Sequence, residues 1–363
     1  MKIAYIIDIS KDGKSIGVLK KIDAQISEWR RQGHDVQEIY TSDFYPSLEY
    51  NLRFFPKKFA SFLKVYINSY ALRQFLRNKT YDVVYARALI FSPFLRFLKA
   101  FNFIMELNAN ELDEYKKTTI PLYIYSLLTR KLAFSLPRGF VAVSNEINAY
   151  YSEFKKPSVV IANACPNLIV QRTHQQNKRP IIGFIGAKKY IWNGNEKVLK
   201  LAEQFPQYDF EIIGFDLDDC PPNVKTHGFL KEEDSIEIMK RWNAAISTLS
   251  LYEQGLTEAS PLKSRLYLAM NIPFIYAYDD TDEPFSHCLK IPNSPNNVDS
   301  SLEKIADFFQ TTFSHSSIQV NHQCHLNLKE KKRLDFMAST IAQKSSNPHK
   351  SKADYYAKEI NSP

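Results

Sequence analysis

The sequence predicts an α/β protein made of two doubly wound, Rossmann-like units. Three observations carry that expectation. Strand-like apolar runs alternate with segments of helical periodicity from the first residue onward. The alternation breaks once, over a polar stretch with proline at both ends, and then restarts. The length, 363 residues, exceeds one ordinary domain and suits two.

KIAYIID, which ends at Asp8, is a short apolar run of the buried-strand type. Ile16, Leu19, Ile22, Ile26 and Trp29 then recur at helical spacing, Gly33 and His34 end that helix, and DVQEIY gives a second strand. Arg53 to Asn78 is helical by pattern, and YDVVYAR, FIMELN, GFVAVS and SVVIAN follow as strands separated by helix-sized segments. Strands alternating with helices predict a parallel sheet covered on both faces. The stretch from Ala164 to Pro180 has a polar middle and reads as an interdomain linker. Beyond it come a strand (IIGFIGA), a helix from Asn195 to Phe205, strands DFEIIGF and VKTHGF, and a helix from Glu232 to Trp242. Strand AAISTLSLY, a helix from Pro261 to Met270 and strand IPFIYAY complete the second unit. Two further helices are expected near Ser301 to Thr311 and Lys329 to Gln343. The expected domains are therefore 1–165 and 180–320, a C-terminal helix over 321–344 packing back on the first domain, and a frayed polar tail over 345–363.

Hydrophobic content of 44% and charged content of 24% are those of a globular chain with material for two cores. No apolar run approaches the roughly 20 residues of a membrane span. Met1 leads directly into a strand-like stretch, so no secretory signal is expected. Cys165, Cys220, Cys288 and Cys324 share no CxxC, so neither a disulfide framework nor a zinc site is expected, which fits a cytoplasmic protein. Asp216 and Asp218 form a DxD inside DLDDCPP, which reads as a solvated loop rather than a metal site.

A net charge of +8 attracts anions: nucleotides, anionic lipid headgroups or nucleic acid. Between Tyr50 and Asp82 there is no acid, but Arg53, Lys57, Lys58, Lys64, Arg73, Arg77 and Lys79 alternate with aromatic residues. Phe59, Phe62, Tyr66 and Tyr70 have helical spacing, which suits either a core face or burial in a lipid headgroup region. An anionic membrane surface met through 51–79 is thus one expected partner. Nucleic acid is not, because no binding motif accompanies the charge.

The ten glycines are scarce enough for their places to carry weight. Gly13 and Gly17 lie in the first strand-to-helix turn, Gly183, Gly186 and Gly194 flank the first strand of the second unit, and Gly214, Gly228 and Gly255 adjoin later strands. Turns at the carboxyl ends of parallel strands bind ligands, although tight-turn geometry alone also explains such residues. The most informative segment is LYEQGLTEASPLKSRLYLAMNIPFI, Leu251 to Ile275. Ser260 reads as an N-cap and Pro261 as the first helical residue. A helix start with Lys263 one turn in suits a diphosphate, and Glu258 just ahead suits sugar hydroxyls. An ordinary capped helix with solvated Glu and Lys is the alternative.

This segment resembles the donor-binding region of retaining glycosyltransferase family 4, especially the bacterial polysaccharide-assembly branch. The resemblance rests on Glu258-Ala259-Ser260-Pro261-Leu262-Lys263-Ser264-Arg265-Leu266-Tyr267-Leu268-Ala269 followed by Asn271-Ile272-Pro273. IGFIGAKKYIWNG is similar to the family's strand, glycine and W-x-G turn, and FEIIGF and THGFL to its later strands. KDGKSIGVLKKI, MELNANELDEYKK, AVSNEI and VIANACPN resemble its first-domain signatures, so the likeness runs in order over roughly residues 1 to 280.

The resemblance implies the GT-B fold, with two Rossmann-like domains facing each other across a cleft, the first for the acceptor and the second for a nucleotide-sugar donor. It implies a hexosyl- or N-acetylhexosaminyltransferase that acts with retention in bacterial capsule, O-antigen or exopolysaccharide synthesis. The partners would be a nucleotide diphosphate sugar and a glycan or lipid-linked glycan, at the inner face of the cell membrane. Glu258 and Lys263 would carry catalysis, with Gly186, Lys188, Lys189, Gly194, Ser260, Pro261 and Leu262 around the donor. Gly17, Glu106, Asn108 and Asn110 would lie on the acceptor side. No cofactor and no metal is expected, since a helix end and lysines replace the ion. One departure stands out: Leu266 occupies the place of a second Glu that would bind the ribose. It leaves a non-catalytic binding subunit as an alternative, beside a sugar-nucleotide epimerase of the same fold.

Overall fold

The computed structural model describes residues 1–9, 16–45, 48, 57–118, 120–166, 178–314 and 324–346. Gly13, Arg53, most of the expected linker and the tail beyond 346 lie outside the described residues. The chain divides into two compact units, one of Met1–Ile161 with the returning segment from Asn327, the other Ala162–Leu326.

In the first unit β1 (Lys2–Ile7), α1 (Ile16–Arg31), β2 (Asp35–Tyr40), α2 (Lys57–Leu76), β3 (Val83–Arg87) and β4 (Phe103–Leu107) follow in order. The hairpin α3 (Glu111–Thr118) and α4 (Ile120–Ser135) comes next, then β5 (Gly139–Ala142), α5 (Asn145–Tyr150) and β6 (Ser158–Val160). The sheet is parallel, in the order β2-β1-β3-β4-β5-β6, with Ile3 paired between Val36 and Val83. Residues of β1 and β3 are buried on both faces, which is why they read as apolar runs rather than as alternations.

The second unit contains β7 (Ile181–Ile185), α6 (Asn195–Gln204), β8 (Asp209–Ile213), β9 (Val224–Thr226), α7 (Glu232–Met239) and β10 (Ala244–Ile246). It continues with α8 (Leu262–Ala269), β11 (Phe274–Tyr276), β12 (Leu289–Lys290), α9 (Asn297–Ser300) and α10 (Leu302–Ser314). Its parallel sheet runs β12-β11-β10-β7-β8-β9. The order reverses between β7 and β10, whereas in the first unit the reversal falls between β1 and β3.

The last helix, α11 (Leu326–Ser346), completes the first unit. Leu334 and Met337 enter the cluster of Ile3, Tyr5, Ile22, Trp29 and Tyr85, and Asn102 donates to Thr340 Oγ1 at 3.0 Å. Burial of α11's apolar residues in that cluster is what brings the chain back.

Candidate functional site

Ligands of open α/β sheets bind at the carboxyl ends of the strands where the order reverses, which here means the loops after β7 and β10. The β7 loop passes through Gly186, Lys188 and Lys189 to a short turn, Ile191–Asn193, closed by Gly194 at a φ of +77°. A Cβ on Gly194 would stand 3.0 Å from both Leu249 Cβ and Ser250 Oγ in the β10 loop, so the positive φ and the close approach both favour glycine here. The Leu249 and Ser250 N–H groups donate to the Asn193 and Trp192 carbonyls at 3.3 and 3.1 Å. Backbone bonds therefore lace the two loops together and fix Asn193.

Helix α8 is docked on these strand ends by hydroxyls. Ser264 Oγ lies 2.6 Å from Ser247 Oγ and 2.5 Å from Tyr278 Oη, while Tyr267 Oη accepts from the Ile185 N–H at 3.0 Å. That placement brings Lys263 into the site. Its ammonium donates to Asn193 Oδ1 at 2.9 Å and lies 4.5 Å from the Phe184 ring centroid. Among the described residues no carboxylate pairs with it, and burial pushes its pKa down to about 7. Part of the side chain stays accessible. A poorly hydrated cation with no counter-charge favours an arriving anion.

The start of α8 differs from the sequence expectation. Pro261, not Ser260, occupies the cap position, and no side chain caps the helix. The Ser260 hydroxyl is buried and already engaged, accepting from the Asn163 N–H at 2.8 Å and from Arg265 at 2.7 Å. The reason is Arg265: its buried guanidinium needs every available acceptor and is held besides by Asp280 at 2.7 Å and Asp282 at 3.2 Å. With Ser260 drawn away, the first-turn N–H groups of α8, the turn that carries Lys263, have no side-chain cap.

Glu258 is partly buried in a loop tied to the end of β11, where the Ala259 N–H donates to the Asp279 carbonyl at 2.9 Å and the Asp279 N–H to the Thr257 carbonyl at 2.8 Å. Lys188 and Lys189 are exposed, with Lys189 over the Tyr190 ring at 4.6 Å. Gly214, at a φ of +113°, sits so close to Gly186 that a Cβ would reach its carbonyl oxygen at 2.1 Å. Its N–H donates to the Gly228 carbonyl at 2.6 Å, so the ends of β7, β8 and β9 converge on bare backbone. Leu266 packs against the cluster of Tyr267, Met270 and Phe274 and contributes apolar contact where the resemblance expects a ribose ligand. Asp216 and Asp218 are exposed.

The residues expected on the acceptor side stand at the end of β4 and in α1. Gly17 is exposed in the first turn of α1. Asn110 caps α3, accepting from the Leu112 N–H at 3.2 Å and donating to Asp113 at 2.7 Å. Asn108 Oδ1 accepts from Lys21 at 3.1 Å. Glu106 does not present itself to a ligand, because it is fully buried and its oxygens are taken by Lys21 at 2.5 Å, Tyr85 at 2.6 Å and Gln25 at 3.5 Å. Those charged and hydrogen-bonded partners hold its carboxyl well below the usual carboxylate range. The reversal point of this unit borders a small opening lined by Asp8, Thr41, Asn68, Ser69, Leu89 and Ile90. Of the basic aromatic stretch, Arg53 lies outside the described residues and the structure does not describe the side chains of Lys57, Lys58 and Phe59. The described rings turn onto protein: Phe62 onto Tyr125 at 5.2 Å, Tyr66 and Tyr70 onto Phe94, and Phe75 onto Phe44.

Sequence reasoning missed Asn193 and Phe184 as the groups that hold Lys263. Their only signal was position, since both flank glycines at the end of the first strand of the second unit.

No family model matches the chain, and no curated protein matches its sequence. Solved structures do match. TarM shares 9% identity at a TM-score of 0.60, covering 99% of each chain. Anabaena HepE, solved with UDP and glucose, shares 12% at 0.58, with 93% of this chain and all of that one covered. WaaB, a lipopolysaccharide outer core galactosyltransferase, shares 13% at 0.56 over 93% of this chain and 99% of that one. The same fold appears in a UDP-GlcNAc 2-epimerase from Neisseria meningitidis, at 13% and 0.55. At these identities the likeness is one of fold: two parallel six-stranded α/β sheets of the GT-B kind.

Proposed function

We propose that the chain is a retaining glycosyltransferase that moves a hexosyl or N-acetylhexosaminyl group from a nucleotide diphosphate sugar to a glycan or lipid-linked glycan in bacterial surface-polysaccharide synthesis. The observation that carries this reading is Lys263, a half-buried side chain whose ammonium has no carboxylate partner among the described residues, beside an uncapped helix start at the reversal point of the second unit. A diphosphate supplies the two negative charges that such a place lacks. Fold neighbours that bind UDP or act as galactosyltransferases agree with the reading.

In the proposed reaction an acceptor hydroxyl attacks the anomeric carbon on the face of the departing diphosphate. The new C–O bond forms as the bond to the phosphate oxygen breaks, and the hydroxyl proton passes to that oxygen. Lys263 and the first-turn N–H groups of α8 stabilise the charge gathering on the diphosphate, and Glu258 orients the sugar. Cation and helix end together take the part a metal ion would play. The acceptor belongs to the first unit in this reading.

Leu266 favours one alternative, a binding subunit that holds the nucleotide sugar without turning it over, because a ribose ligand is replaced by an apolar contact. A panel of nucleotide sugars scored by thermal shift and then by turnover tests both. Transfer to an acceptor supports the transferase, stabilisation without turnover supports the binding subunit, and conversion of the donor without acceptor points to an epimerase.

A further inference from the structure

Five of the ten large apolar side chains that stand exposed among the described residues lie on α4. They are Ile120 at 57% exposure, Ile124 at 50%, Leu127 at 51%, Leu128 at 77% and Leu132 at 43%. Spacings of three and four put them on one stripe. The opposite face turns its polar groups inward. Ser126 is buried, Thr129 Oγ1 donates to the Tyr125 carbonyl at 2.8 Å, and Arg130 pairs with Glu111 at 2.8 Å and with Glu153. The helix is inverted relative to an ordinary surface helix, which hides its aliphatic stripe and shows its polar one. No described helix is long and apolar enough to cross a membrane. At 16 residues α4 is about 24 Å long, a shape that suits lying in an interface.

Charge decides what covers the stripe. Helix α2 runs beside α4, with the Phe62 and Tyr125 rings 5.2 Å apart and the Tyr66 and Tyr125 hydroxyls at 3.1 Å. Phe62 and Tyr66 are engaged there, while α2 and its following turn carry Lys64, Arg73, Arg77 and Lys79 and no acid, with Arg77 exposed and Lys79 over the Phe75 ring at 3.4 Å. Lys131 is exposed within the α4 stripe, and Lys116 is exposed on α3. Of the acids on neighbouring elements, Glu111 and Glu153 are paired with Arg130 and Asp113 with Asn110, and Glu114 is exposed on α3. A second copy of the chain would set two positive faces against each other, whereas an anionic lipid surface complements them.

We propose that α4 is a membrane-docking helix, lying in the plane of an anionic leaflet with Ile120, Ile124, Leu127, Leu128 and Leu132 in the headgroup and acyl boundary and the cations of α2 alongside. The sequence pattern leaves the aromatic residues of α2 to either a core face or a headgroup region; among the described residues Phe62 and Tyr66 pack on protein while Tyr70 stays partly exposed, and the aliphatic stripe of α4 lies outside. The proposal is independent of the donor site, and its test uses neither donor nor acceptor.

The full-length protein is sedimented with vesicles of phosphatidylcholine alone and with vesicles containing about one-third phosphatidylglycerol. Wild type binds the anionic vesicles and binds neutral ones more weakly. The double variant Leu127→Gln, Leu128→Gln loses about tenfold or more in partition with no change in its unfolding temperature. Leu328→Gln, at a comparably exposed leucine of α11, binds as wild type does. Leu128→Trp gains a blue-shifted emission component on the anionic vesicles, because that position enters the boundary. The proposal is overturned if wild type binds neither vesicle or if the double variant binds undiminished. It also fails if wild type is a dimer in solution that the double variant dissolves, since a second copy then covers the stripe.

Discussion

In the first unit the buried Glu106 carboxylate meets Lys21, Tyr85, Gln25 and, at 3.8 Å, Arg333, whereas in the second unit the Lys263 ammonium meets, among the described residues, the Asn193 amide oxygen and the Phe184 ring face. Arg333 in turn pairs with Glu330 at 2.5 Å, and Glu330 accepts from the Trp29 indole at 2.7 Å. The two acids and two bases of that network balance, and their remaining hydrogen-bonding positions are filled by Tyr, Gln and Trp. Such a cluster is complete as it stands and ties α1, β3, β4 and α11 into one body. Lys263 is incomplete, since desolvation without a counter-ion costs free energy that a bound anion returns. Burial of a charged group therefore marks a structural part in one unit and, in the proposed function, a binding part in the other, and the pairing of the charge tells them apart.

The largest expected effect breaks the closed side of this contrast. Glu106→Leu leaves Lys21 without its carboxylate and Arg333 with the Glu330 carboxylate, and should lower stability by about 3–5 kcal/mol in urea or thermal unfolding. Lys263→Met should leave stability equal or raise it. Equal losses in both variants would erase the distinction. The pH dependence has a defined sign: Glu106 is held below its ordinary pKa of 4.5, so its contribution is present above that value and is lost as the pH falls below it.

Next in size are effects on transfer. Lys263→Ala and Glu258→Ala should each lower transfer at least about tenfold, near 1.4 kcal/mol of barrier, with little change in unfolding temperature. Wild-type rates in both, on a confirmed substrate, would show that the site lies elsewhere.

A smaller effect sharpens the open side. Lys263 has a pKa of about 7 in the folded chain against an ordinary 10.5, so between these values the unfolded chain holds a proton that the folded one lacks. Stability should accordingly rise with pH across that window, and Lys263→Met should flatten the rise. Affinity for a nucleotide diphosphate sugar runs the other way, because the anion binds the charged amine. It should fall about fivefold between pH 7 and pH 8 by titration calorimetry, and a flat profile would exclude Lys263 from diphosphate binding.

The smallest expected effect is none at all. EDTA should leave transfer unchanged if the lysine and the helix end carry the diphosphate. Loss with EDTA and rescue by Mn²⁺ would assign that charge to a metal instead.

The two-fold alternation of strands and helices was legible because each parallel strand is buried on both faces and must be apolar, as KIAYII and IIGFI are. Lys263 was legible as a candidate because a proline-marked helix start with a basic residue one turn in is a local pattern, carried within four residues. Its counterpart Asn193 was not legible, being 70 positions away and brought near by backbone bonds between two loops. Ser260 shows the same limit in reverse. Locally it is a good N-cap, but Arg265 and Asn163 engage its hydroxyl first, and a buried guanidinium outweighs a capping bond worth about 1 kcal/mol. Glu106 reads in the sequence as an acceptor-side residue, yet it is the anchor of a network whose farthest member, Arg333, lies 227 positions later by difference of the two numbers. The α4 stripe shows the limit plainly as well. Its period was available in the residues, but period alone does not say which face of a helix turns outward, and that depends on where α2 and α3 lie. Sequence by itself thus determined what short-range periodicity and local capping encode: the α/β class, the strands and the position of the basic helix start. Tertiary structure alone decided which charges are paired and which apolar faces are covered, because both depend on groups far apart in the chain that meet only after folding.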